Sequence, residues 1–183
     1  MNVTPDDIIA FWRDEVGVER WFAADAKLDA EIASRFRRVW EKARDGKLDD
    51  WQDGVEGALA LILVLDQFPR NMFRGQADAF STDTRAHEVA ERALARGYDL
   101  MVMPAGLRAF FYLPFMHSEN LADQDRCVAL VAERLGTASM NYPFALAHRE
   151  EIRRFGRFPH RNAALGRKST AAEAHFLQES GMR

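Results

Sequence analysis

One cysteine, Cys127, stands in 183 residues. A single thiol excludes an internal disulfide and fits a reducing, cytosolic setting. Paired runs of β-branched residues are missing too. A lone strand would have nowhere to place its backbone hydrogen bonds, so a sheet is not expected. No apolar run approaches the roughly 20 residues that a membrane span requires. The opening MNVTPDD lacks the basic-then-apolar order of a signal peptide. A net charge of −3 and a pI near 6 give no global nucleic-acid signature. GxSxG, P-loop, strand-linked GxGxxG and HExxH motifs are all absent, so no cofactor is expected.

What the chain does have is apolar content, 48% of its residues, enough for a single domain over 1–183 with its own core. It is organised around Ala58 to Arg74, ALALILVLDQFPRNMFR. This is the longest aliphatic run, and it ends abruptly in polar and charged residues. Asp49 and Asp50 supply capping chemistry for a helix from about Trp51 to Asp66, which is expected to stop before Pro69. Gly54 and Gly57, three apart, suggest a close helix crossing. Elsewhere, helix signals recur. Thr4-Pro5-Asp6-Asp7 opens a first helix, and Asp25 caps a long one to about Arg44. Ser81, Thr82 or Asp83 starts another that runs to Arg96. Pro104 begins an apolar helix that Pro114 should bend. Asp123 or Asp125 opens the next, and Asn141-Tyr142-Pro143 the one after. Thr170 and Glu173 form a capping-box pattern for the last. The expectation is an all-α fold of about eight helices in antiparallel pairs, as a helical bundle or a superhelix.

Two loops share a pattern: Gln67-Phe68-Pro69-Arg70-Asn71 and Arg157-Phe158-Pro159-His160-Arg161-Asn162. In each, phenylalanine can anchor the loop, proline fixes its direction, and arginine offers a fork matched to carboxylate or phosphate. If both loops lie at the same end of the helix stack, they face each other. His117 and Glu119 can join them, and His148 points inward to line the floor. Asp66 completes the candidate set. Charge supports this reading: residues 1–60 hold 14 acids and 9 bases, whereas residues 148–168 hold 7 bases and 2 acids. His148 and Glu151 sit at metal-ligand spacing, but a single such pair is weak, and no metal is expected. The competing reading is structural, with these side chains satisfying helix-end carbonyls and buried acids.

The segments LILVLDQFPRNMFRG, FSTD, FFYLPFMHSEN and HREEIRRFGRFPHRNAALGRKSTAAEAHFL, with DDIIAFWRDEV near the start, resemble the domain of unknown function 924 family over nearly the whole chain. The resemblance implies a tetratricopeptide-repeat-like helical fold. It carries over no activity. The family's recurring residues fall here on Asp66, Gln67, Arg70, Asn71, His117, Glu119, His148, Gly156, Arg157, His160, Arg161 and Asn162.

Two functional classes remain open at this level. One is a binding module whose polar Arg/His/Asn site takes a small anionic ligand or an acidic peptide, with no nucleic-acid or membrane partner. The other is a small-molecule enzyme such as a hydrolase, using a His–carboxylate pair.

Overall fold

Thr4 opens helix α1 (Pro5–Ala10) with a capping box. Its hydroxyl accepts from the Asp7 amide, and the Asp7 carboxylate accepts from the Thr4 amide at 2.8 Å. The computed structural model describes residues 3–102 and 105–180. Among these the chain forms ten α-helices, short 3₁₀ and π turns, and no strand, which is the all-α class that the missing strand runs imply. The helix start expected at Pro104 lies outside the described residues. Among the described residues, no helix is long and apolar enough to cross a membrane. Met1–Arg74 with Asp78–Pro114 forms one compact unit, and Gly75–Ala77 with Phe115–Arg183 forms a second.

In the first unit, α2 (Ala26–Arg44) is capped by Asp25, whose carboxylate accepts from the Lys27 and Leu28 amides. Helix α3 (Val55–Ile62) packs on α1 and on α5 (Asp83–Ala95), while α2 packs on α4 (Phe68–Met72). Ala58 through Leu65 are each at most 1% exposed, so the aliphatic run is the centre of this core. Phe68 closes it, with its ring 5.2 Å from Phe36 and 5.7 Å from Trp12. Burying such a ring contributes roughly 2–3 kcal/mol.

Three local expectations change here. Asp49 and Asp50 do not cap the helix: they lie in a 3₁₀ turn, and α3 starts at Val55 with Gly54 as its N-cap. The helix does not stop before Pro69. A π turn over Leu63–Gln67 shifts the hydrogen-bond register, and the chain continues helically through Pro69 to Met72. Pro69 then lies in the first turn of α4, where a missing N–H costs little. Gly57 serves no helix crossing. A Cβ there would meet the Trp51 carbonyl oxygen at 2.0 Å, so the glycine lets α3 fold back against its own preceding 3₁₀ turn, Asp49–Asp53.

After α6 (Tyr98–Met101), the apolar segment is not one bent helix. It forms a 3₁₀ stretch, Ala105–Phe111, and then α7 (Leu113–Met116), with Pro114 at the second position of the new helix. Tyr112, between the two, is pinned by its hydroxyl to buried Asp99 at 2.8 Å.

In the second unit, α8 (Leu121–Arg134) and α9 (Asn141–Phe155) pack together as a helical hairpin. Asn120 caps α8, accepting from the Ala122 amide at 2.9 Å. Asp123, an expected cap, instead accepts the Ser118 hydroxyl at 2.6 Å. Gly156 ends α9 in the left-handed conformation, φ +68°, and launches the FPHRN loop. Helix α10 (Ala171–Ser180) follows. Its capping box forms as expected: the Thr170 amide donates to Glu173 at 2.7 Å, and the Glu173 amide donates to Thr170 Oγ at 3.2 Å.

Candidate functional site

The two echoing loops fall in different units. In the first unit, the π turn and α4 place Asp66, Gln67, Arg70 and Asn71 in one hydrogen-bonded array. Arg70 donates to the Asp66 carbonyl at 2.6 Å and doubly to Asp83 at 2.9 and 3.0 Å, with the Asp66 carboxylate 3.2 Å away. Burial disfavours this guanidinium's charge, but Asp66 and Asp83 outweigh it and hold its pKa above the ordinary value. Gln67 donates to Asn71, and Asn71 donates to Asp29, which also takes a two-pronged contact from Arg74. The array ties the end of the central helical segment to α2 and α5.

In the second unit, three groups build the loop's frame. Arg167, whose role the sequence pattern did not reveal, donates to Glu119 at 2.7 and 2.9 Å, to the Phe158 carbonyl at 3.1 Å and to the Asn162 side chain at 2.9 Å. Glu119 also accepts from the Phe158 amide at 2.8 Å. Burial pushes the Glu119 pKa up, yet the Arg167 bonds, the Phe158 amide and nearby Arg161 outweigh it and leave the carboxyl below its ordinary range. Arg157 donates to Glu173 at 2.7 and 2.9 Å and to the Lys168 carbonyl at 2.9 Å. Asn162 bridges Ser169 and Glu173.

Inside that frame, Phe158 is fully buried and carries the polar residues around its ring. The Arg161 guanidinium lies 4.5 Å from the ring centroid, a cation–π distance, and donates to the His117 carbonyl at 2.8 Å. His148 meets the same ring edge-on at 5.3 Å, His160 lies 5.4 Å from it, and His117 is 6.4 Å from His148. Nδ1 of His148 is 3.2 Å from the Met116 carbonyl. A carbonyl only accepts, so in this contact the imidazole nitrogen is the donor. His160 Nδ1 stands 3.6 Å from the carboxylate of buried Glu151. From the sequence, Glu151 stands out only for its spacing from His148. Among the described residues, no three His, Cys, Asp or Glu side chains gather to hold a metal ion.

The family model for bacterial proteins of unknown function, DUF924, matches residues 8–181. The chain belongs to this family. A solved structure of the same description, the protein of unknown function ATU0120 from Agrobacterium tumefaciens, is similar over 96% of this chain and 97% of its own. It is 43% identical, with a TM-score of 0.89. No curated protein matches the sequence. The candidate residues divide by unit: Asp66, Gln67, Arg70 and Asn71 lie in the first, and His117, Glu119, His148, Gly156, Arg157, His160, Arg161 and Asn162 in the second.

Proposed function

We propose that the second unit binds a small anion of the carboxylate or phosphate class at the polar cluster around Phe158. The observation that supports this is the gathering of Arg161, His148 and His160 on a single buried ring, with His117 next to His148. The pairs Arg157–Glu173 and Arg167–Glu119 neutralise each other within the loop's frame. The Arg161 guanidinium over the ring is a donor suited to a carboxylate or phosphate, and the imidazoles beside it supply further polar groups. His117 and His148 are both half-buried.

A titration with inorganic phosphate or acetate, followed by NMR, tests the reading. The expected result is saturable movement of the His117 and His148 ring signals and of the amides at Phe158 to Asn162. Ring and amide signals that stay in place up to tens of millimolar overturn it.

A further inference from the structure

Glu151 sits on the buried side of α9 at 7% exposure. Its Oε1 is shut off from solvent and accepts no hydrogen bond. A buried carboxylate oxygen without a donor is costly. Such a cost is retained where the group has a task. Among the described residues, the basic side chain within ion-pair distance of Glu151 is His160, Nδ1 to Oε1, at 3.6 Å. That separation is longer than a hydrogen bond, and dyads of this kind are often long until a ligand is bound. His160 is the opposite case in exposure, with a third of its side chain in solvent. An imidazole's two nitrogens lie on different edges of the ring. With Nδ1 turned to the buried carboxylate, Nε2 lies on the edge away from it.

We propose that Glu151 and His160 form a carboxylate–imidazole dyad that presents His160 Nε2 as a base to a hydroxyl-bearing anion held at the Phe158 cluster. Glu151 is the positioning residue: it accepts from Nδ1–H, selects that tautomer, and faces the positive charge that forms when Nε2 takes a proton. The transfer is simple. The O–H bond of the ligand breaks, an N–H bond forms at Nε2, and the alkoxide left behind faces the Arg161 guanidinium on the same ring. The choice of ligand rests on the anion reading above, whereas the dyad itself rests only on Glu151 and His160.

Nitrogen-15 NMR of the unliganded protein reads the dyad directly. The expected result is a neutral His160 that carries its proton on Nδ1 and leaves Nε2 bare. A neutral ring protonated on Nε2 overturns the dyad, without recourse to any variant. Glu151→Leu, checked for native folding by its amide spectrum, should move the proton to Nε2. An unchanged tautomer in that variant also overturns the dyad. The ligand arm compares glycolate and 3-hydroxypropionate with acetate and propionate. The hydroxy acids should bind several-fold more tightly and shift His160 Nε2, and His160→Phe should erase that advantage. If all four acids bind alike and His160 Nε2 stays still, the base role is overturned while anion binding stands. If none binds, anion binding falls and the hydroxy-acid role falls with it.

Discussion

The hydroxyl of Thr82 donates to the carbonyl of Leu65 at 2.5 Å. Counting four residues on from Leu65 gives Pro69, which has no N–H to offer that carbonyl in an α-helix. The same hydroxyl accepts from the buried indole of Trp40 at 3.2 Å. Thr82 stands at the N-cap of α5, yet its side chain makes no capping bond there. It serves the neighbouring proline instead.

Thr82→Val keeps the shape and removes the hydroxyl. It strips a partner from two buried groups at once, the Leu65 carbonyl and the Trp40 indole. The expected cost is about 2–3 kcal/mol, read from urea unfolding. A loss below ~0.5 kcal/mol, the size of an ordinary surface change, would contradict the arrangement.

Gly57 and Gly54 should behave in opposite ways. Alanine at Gly57 drives its Cβ into the Trp51 backbone, which cannot swing aside like a side chain, whereas nothing lies within 4 Å of a Cβ at Gly54. Gly57→Ala should therefore destabilise by about 2 kcal/mol or more, despite alanine's ~1 kcal/mol helix advantage. Gly54, at the N-cap of α3 with φ −128°, should accept serine with a gain of a few tenths of a kcal/mol. Thermal melts of the two variants provide the comparison.

Acid should loosen α10. The hydrogen bonds from Arg157 are the main cause that holds Glu173 down to a pKa of about 2, below its ordinary 4.5, with the Thr170 amide assisting against the opposing effect of burial. A depressed carboxylate stabilises the folded state above its unfolded pKa and loses that contribution as pH falls through its folded one. The unfolding midpoint in urea should therefore drop between about pH 4.5 and about pH 2. Glu173→Gln should flatten that part of the profile. A variant whose acid profile matches the parent's would assign the loss to other carboxylates.

Burial pushes the Cys127 thiol up to about 12. The residue is fully buried on the apolar side of α8. A thiol-specific disulfide reagent at pH 8 should leave the native protein unlabelled over hours and modify one thiol promptly once denaturant is added. Rapid labelling of the folded protein would contradict this placement.

Much of the fold was legible because its signals are local. Thr4 with Asp7, Asp25, and Thr170 with Glu173 each act within one helical turn, and each caps as its spacing suggests. The π turn before Pro69 was not legible. It depends on support from Thr82, which reaches it only through tertiary packing. The Gly54–Gly57 spacing misleads for a related reason: the close approach is real at Gly57, but the partner is the chain's own previous turn. At the candidate site, the Phe–Pro anchoring of both loops could be read from the echo. The clamp by Arg167 could not, since it joins Glu119 across 48 positions. Nor could the pairing of Glu151 with His160, because one lies on a helix and the other in the loop beyond it, and no periodicity links them.

Arg167 grips a glutamate, a backbone oxygen and an amide with one planar fork. The stretch from Gly156 to Arg167 is thereby fastened at both ends and again in its middle, so it should behave as a single stiff plate. Its backbone amides should exchange with deuterated water as a group. Cutting that fork with Arg167→Met should release them together, at a shared and much faster rate, while the amides of α8 keep their own pace.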